Sequence, residues 1–588
     1  TAIAGGTPPD VVRQERFWIG DWASRGAFMP LDKLVKGDAS IRQADFYKTC
    51  WEECIYSGRL YGIPYSTGSR ALYYNRTLFR KAGMDPDKPP RTWDELLSAA
   101  KKLTVYQKGG GFARIGFDPF LGSSYLQSYS FPNGGEAMSP DGRRCTLNNP
   151  RTVAALQYVV SFYDAFKGAD KVAAFEAGMG TTTSLDPFAI GIVAMKIDGD
   201  WALTNIARYA PDLDFGVAPI PVPRARYEGK PPFTGQSKLV TWSGGFAYVI
   251  PTGARHVGSA WEFIKWMVSE EAAMVAARAQ SRENANQGRP YTFVMTAKPK
   301  VNESILRKFP SKDRRLAKAQ RMFVDLMRVS KKRPITIVGQ RLWSEQMRAW
   351  DMATRHKKTA QQALNEATSI VQKELDEALN RKRFGYLNIR YILGGVTAIV
   401  LILGVLAIGS IRRRRMGRLS RKEMFVGYAF ASPWIIGFLA FTIGPIIASM
   451  VLSFCDYDVL SPARWIGLRN FSQLLTSDSY LVSKSLYNVA FLAAFGLPLN
   501  LITSLLIAML LNTKVRGINW YRTVYYLPSI VPVVANLILW MWILQPEYGL
   551  SNAAWKATLT PRFGLAPPVW LSSETAAKPA LILMGVWG

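Results

Sequence analysis

The sequence predicts two architectures in one chain of 588 residues: an α/β soluble part to about residue 380 and an all-α, polytopic membrane part from residue 424 onward. Three observations predict this. Residues 1–380 alternate helical-period and strand-like segments, the pattern of α/β layers. Beyond Asn388, the runs Tyr391–Ile411, Met424–Cys455, Ser485–Thr513 and Thr523–Pro546 contain no Asp, Glu, Lys, Arg or His. Each reaches the roughly 20 residues that a helix needs to cross a bilayer. Between the first two runs sits a basic block, Arg412–Arg415 with Arg418, Arg421 and Lys422, which suits a cytoplasmic loop.

Taken in order, Ala2–Val12 places a Gly-Pro turn before a short apolar strand. Thr92–Leu103 predicts a helix with Thr92 as N-cap and Glu95 three residues on, a capping box. Gly191–Met195 predicts a buried strand leading to a turn at Asp198–Gly199–Asp200. Phe246–Ile250 is a second apolar strand closed by Pro251, followed by a helix over Val257–Val268. Thr359–Leu379 is an amphipathic helix that leads toward the membrane.

The basic block orients the rest. With residues 412–423 inside, residues 1–390 are outside, and the chain is outside again at Asp456–Lys484 and Glu547–Lys578 but inside at Lys514–Arg522. Residues 381–423 are then a linker, a single tether helix (391–411) and a cytoplasmic loop. Residues 424–588 carry spans at about 425–454, 486–512, 523–545 and 579–588, the last cut short. The expected location is a bacterial-type inner membrane, multi-pass. Thr1 has no Met or signal peptide before it, so a fragment of a longer protein is expected at both ends.

Composition excludes several classes. The net charge of +30 invites a nucleic-acid reading, but no zinc-finger spacing, RNP-like segment or basic helix interleaved with aromatics is present. Cys50 and Cys54 stand one helical turn apart, with Cys145 and Cys455 remote and only two histidines in the chain. Free or locally paired thiols fit this better than a metal site, and no metal or cofactor is expected. Spans without ionisable groups argue against ion coupling. No G-x-x-x-x-G-K-[ST] occurs, so ATP is expected to act through a separate subunit.

The phrases GGTPPDVV (Gly5–Val12), YGIPYSTGSRALYYNRTLFRKAG (Tyr61–Gly83), the Thr92–Leu96 helix start, AMKIDGDWAL (Ala194–Leu203), GVAPIPVP (Gly216–Pro223), SGGFAYVIP with AWEFIKWM, and AQQALNEA (Ala360–Ala367) occur in that order. Together they resemble the extracellular solute-binding proteins of the maltose, multiple-sugar and glycerol-phosphate type. The resemblance implies a periplasmic-binding-protein-like domain of two α/β lobes flanking a cleft, with the first strand missing and hinges near Ser66–Arg70 and Leu239–Ser243. It also implies a sugar ligand.

Sugars present C–H faces and hydroxyl edges, so such a cleft needs aromatic planes beside polar groups. By resemblance Trp201 is the stacking platform; packing between helix and sheet is the alternative. Trp242 lies at a hinge where Gly244 lets the backbone approach a ligand. Tyr65 and Tyr125 are candidate rim aromatics, and Trp343 matches a stacking aromatic of maltose-type receptors. Arg16 and the hinge residues Ser66, Thr67 and Ser69 are the polar candidates. Where maltose receptors carry a ligand-binding acid, this chain has Gly68.

Residues 424–588 resemble permease subunits of sugar ABC importers, through Ala431–Asp458, Trp465–Leu475, Asn488–Asn512 and Arg516–Asn552. The joint resemblance implies a receptor fused to a permease, working with an ATP-binding cassette subunit and a second homologous permease. The expected function is therefore import rather than catalysis. A membrane-tethered carbohydrate chemosensor is the alternative, and an anchored enzyme using Asp198 and Asp200 a further one.

Overall fold

The computed structural model describes residues 2–587 apart from 108–110, 177–185, 381–384, 388–389, 391–393, 395–401, 403–404, 406–408, 410–417, 514–515, 547–548, 566, 572 and 574. The expected tether helix at 391–411 and the basic block at 412–415 therefore fall almost wholly outside the described residues. The described chain divides into two units, Thr7–Asp376 with Ser485–Gly588 and Thr1–Gly6 with Glu377–Lys484.

Pro8 and Pro9 have no N–H to give to a ladder. The first strand accordingly begins where its prediction ended: β1 is Val12–Glu15, and Ala2–Gly6 is a turn. The other strands that frame the site are β2 (Ile63–Pro64), β3 (Arg70–Asn75), β4 (Met195–Gly199), β5 (Phe215–Ala218), β6 (Thr241–Trp242), β7 (Phe246–Val249) and β8 (Ser330–Lys331).

They form two three-stranded sheets and a separate pair, β6 with β8. In the first lobe the order is β1-β7-β2, all antiparallel, with Val12 opposite Val249 and Ala247 opposite Pro64. In the second lobe the order is β4-β3-β5, again antiparallel, with Arg70 opposite Gly199 and Leu72 opposite Ala218. Strand β3 is central and buried along its whole length, with Tyr73 packed against Phe188, Phe215 and Phe323 and Leu72 opposite Ile197 in the ladder. Asn75 ends β3 and caps the next helix by accepting from Leu78 N–H at 2.9 Å.

The chain passes from the first lobe to the second through Ser66–Arg70 and returns through Thr241–Phe246. These passages touch where Gly68 N–H donates to Gly244 O (3.0 Å) and Gly244 N–H to Gly68 O (3.1 Å). Strand β8 runs parallel to β6, with Thr241 opposite Ser330. It connects the helix Arg314–Leu326, whose Phe323 O accepts from Ser69 Oγ at 2.9 Å, to Arg333, which pairs with Glu15 of the first lobe at 2.6 Å. Chain segments thus join the lobes at several places.

Two predicted elements shift. Gly191 has φ +78° and the N–H groups of Ile192 and Val193 donate to Pro187 O, so that stretch is a turn and the strand starts four residues later at Met195. Lys196, a charge inside this buried strand, hides its apolar pattern; it bonds Asp186 at 2.9 Å and Asp198 at 3.1 Å. The helix Trp93–Leu103 has Thr92 as N-cap, but Glu95 reaches back to Arg91 N–H at 2.8 Å rather than to the cap residue.

Among the described residues, two helices are long and apolar enough to cross a membrane, Lys422–Leu452 (31 residues) and Ser479–Leu511 (33 residues). Each contains one π-turn, Leu439–Ile443 and Leu492–Gly496, ending two residues before Pro445 and Pro498 respectively. Proline cannot supply the i→i−4 bond and crowds the preceding turn, and a wider turn relieves both. The predicted single span at 523–545 is instead two shorter helices, Ile518–Ile530 and Val533–Ile543, separated at Val531–Pro532. The expected outer loop at 547–578 contains a helix, Leu550–Phe563, held by Asn552, which donates to Pro546 O and Pro568 O and accepts from Trp570 Nε1.

Candidate solute-binding cleft

Between the two sheets lies a cavity of about 520 Å³. Its floor is the Gly68–Gly244 contact; its walls come from the ends of β1 and β4, the β7 entry and the helix Gly339–Thr354. Five of the seven residues expected from sequence line it: Trp201, Trp242, Gly244, Tyr125 and Trp343. The sequence separates these residues by as much as 218 positions, and the hinge brings them together.

Trp201 follows β4 and opens the helix Ala202–Tyr209, with its ring 43% exposed. It folds back so closely over the strand end that a Cβ at Gly199 would stand 2.1 Å from the indole. Only glycine permits that placement. Trp242 is 2% exposed, and its Nε1 donates to Ser128 Oγ at 2.9 Å. Tyr125 meets Trp343 edge-on at 4.7 Å and approaches Trp242 at 6.3 Å, so the three rings form one aromatic wall.

Tyr65 and Arg16 stand elsewhere. Tyr65 lines a separate apolar hollow of about 290 Å³ beside Trp266 and Ala272, with its ring 5.0 Å from Tyr248. Arg16 is fully buried beneath the hinge. Its Nε bonds Glu53 at 2.7 Å, and its Nη1 donates to Ser66 O at 2.5 Å. Burial alone would push this guanidinium down, but Cys50 and Glu53 hold its pKa above the ordinary value. Glu53 also lies 3.6 Å from Arg333, whose other side bonds Glu15, so a buried ionic chain ties the first lobe to the β8 segment.

Two residues that sequence reasoning did not single out for binding dominate the polar lining. Arg70 Cζ lies 3.7 Å above the Trp242 ring and 4.7 Å from that of Trp201. Its Nη1 donates to Gly68 O at 2.8 Å, and its Nε has no partner. Burial, with Arg333 nearby, lowers its pKa to about 10. Asp200 is the second. Its Oδ1 is buried without a hydrogen-bond partner, 2.3 Å from where a Cβ at Gly68 would be. The Asp200 carboxyl thus fills the space left by the missing side chain at 68, and burial raises its pKa to about 7. Asp198 next to it is committed to Lys196, so the two carboxylates do not face the cavity as a pair.

The arrangement can stack flat apolar faces on indoles and meet polar edges with Arg70, Asp200, Ser66 and Thr67. Among the described residues no group of three or more potential metal ligands occurs.

Residues 1–274 match the model of the family described as bacterial extracellular solute-binding protein. A putative binding protein of Brucella abortus is 30% identical over 226 residues, 38% of this chain and 51% of that protein. The probable ABC transporter permease protein YesP of Bacillus subtilis is 39% identical over 174 residues, 29% of this chain and 54% of that protein. The chain thus spans about half the length of the curated relatives it matches. Among solved structures, CpMnBP1 with mannobiose bound superposes with a TM-score of 0.52 at 27% identity, covering 63% of this chain and 85% of that one. The soluble part therefore has the two-lobed solute-binding fold.

Proposed function

We propose that the chain is the receptor and membrane-translocating subunit of an ATP-driven sugar importer, a receptor fused to a permease. One observation carries the reading: a hinged, aromatic-walled cleft and two helices of membrane-crossing length occur in a single polypeptide. The 39% identity of a 174-residue stretch to a probable permease supports the second half, and the fold shared with a mannobiose-bound protein supports a saccharide in the cleft.

In this scheme residues 1–380 capture the sugar outside the cell, 381–423 tether and anchor, and 424–588 form the pathway. The saccharide stacks on Trp201 and is edged by Tyr125 and Trp343, while Trp242 and Gly244 back the hinge. Burying one sugar face on an indole contributes roughly 1.5–3 kcal/mol. Closure about the Gly68–Gly244 contact presents the loaded receptor to the permease helices. Because receptor and permease share one chain, the local concentration is about millimolar for a short flexible linker, and docking needs little intrinsic affinity. ATP hydrolysis belongs to a separate cassette subunit, and a second, homologous permease completes the pathway.

The test is uptake. Proteoliposomes holding this chain with its cassette and permease partners, loaded with ATP, should accumulate radiolabelled oligosaccharide. Binding without ATP-dependent accumulation would favour a sensor instead.

A further inference from the structure

The charge of the cleft is unbalanced, and the imbalance centres on Arg70. Three guanidiniums line the cavity, Arg13, Arg70 and Arg333, against two carboxylates, Glu15 and Asp200. Glu15 is spent on Arg333 at 2.6 Å. Arg13 lies flat on Phe246 at 3.6 Å. Arg70 is 6% exposed and makes no ion pair among the described residues; its guanidinium donates to the neutral Gly68 carbonyl and lies against the rings of Trp242 and Trp201. Asp200, Asp198 and Glu15 attract Arg70 without bonding it, and burial, with Arg333 nearby, outweighs that attraction.

A buried guanidinium with no carboxylate bonded to it is costly, and lowering that cost is a source of binding free energy for an anion. The planar fork of Arg suits a carboxylate or a phosphate, which it can grip with two parallel N–H donors. With its guanidinium against the indoles, Arg70 has its edges left for a ligand. A neutral sugar would stack on the same wall but would leave this cation with no anion bonded to it.

We propose that the saccharide held in this cleft carries an anionic group, a sugar carboxylate or a sugar phosphate, received by Arg70 between Trp201 and Trp242. The inference rests on the saccharide reading above. It makes Arg70 the specificity-determining residue, with Asp200, protonated, available to donate to the same anion. Ionisation of Asp200 places a negative charge beside the ligand. The charged groups acting on Asp200 are Arg70 and Asp198, and those acting on Arg70 are Arg333, Asp200, Asp198 and Glu15. Affinity for the anion is therefore highest below pH 7 and falls as pH rises through it, whereas a neutral sugar gains no such dependence.

The experiment is calorimetric titration of the full chain in nanodiscs with three probes: digalacturonate, mannose 6-phosphate and mannobiose. The expected result is that one of the two anionic probes binds at least about tenfold tighter than mannobiose. Whichever is preferred identifies the group. In Arg70→Gln that preference should vanish, the ratio of anionic-probe affinity to mannobiose affinity falling to about one. If the variant does not fold, the wild type still decides. The preferred anionic probe should weaken as salt rises from about 50 to about 500 mM, and digalacturonate should weaken between about pH 6 and pH 8, with mannobiose flat in both. Mannobiose bound as tightly as either anion, or equal salt response for all three, overturns the inference and leaves the saccharide reading standing. Binding of none of the three removes both.

Discussion

Arg16 and Arg70 are two buried guanidiniums on either side of one hinge, and their partners give them opposite roles. Arg16 is matched by Glu53 at 2.7 Å. Substituting Glu53→Gln would strand the buried Arg16, leave Arg333 with Glu15 alone, and should destabilise the soluble part by about 3–5 kcal/mol in thermal or denaturant unfolding. Asp200 behaves differently. Its pKa of about 7 in the fold exceeds the ordinary 3.8, so the folded state retains a proton that the unfolded chain has released. That group's contribution is most favourable below pH 4 and falls as pH rises toward 7. Asp200→Asn should therefore raise stability at pH 8 by on the order of 2–4 kcal/mol, with the gain disappearing near pH 4. Trp201→Ala should weaken saccharide binding by about 1–3 kcal/mol, while unchanged affinity would take the ring out of the site. Trp201 was legible because a Gly-Asp turn precedes it. Arg70 was not, because an arginine entering an apolar strand looks like an exposed strand end. Arg16 is a polar candidate by its place after the first strand, and its burial against Glu53 is hidden in the sequence because that partner lies 37 residues away.

At the scale of elements, local chemistry was the reliable guide and charge inside a strand the misleading one. Thr92 caps its helix as the sequence implies, and Thr92→Ala should cost about 1 kcal/mol in an unfolding titration. The strand at Met195–Gly199 was displaced in the reading because Lys196 breaks its apolar run, although the lysine is satisfied by two aspartates. Hydropathy placed the expected spans 425–454 and 486–512 on the two long apolar helices, the second of which starts about seven residues earlier, at Ser479. It did not find their π-turns, nor the separation at Val531–Pro532, because composition averages over a window while a proline acts at one peptide bond. The prolines themselves mark all three irregularities.

The whole molecule is where sequence spoke in outline only. It implies two lobes with a cleft between them, which the structure has, but not that Asp200 occupies the place of a side chain at position 68. The orientation is testable directly. All four natural cysteines are buried, so background labelling should be low. A membrane-impermeant maleimide applied to intact cells should label Lys312→Cys, an exposed position, and should reach Thr513→Cys only after permeabilisation. Labelling of both from one side would refute the proposed topology.

The passages at Ser66–Arg70, Thr241–Phe246 and Met327–Arg333 make the receptor redundant in its own stitching. A protease that nicks the backbone beside Leu239, which is 43% exposed, would sever one seam and leave the others whole. The nicked receptor should migrate as two fragments under denaturing conditions yet still clasp its cargo, much as a garment with one broken thread keeps its shape.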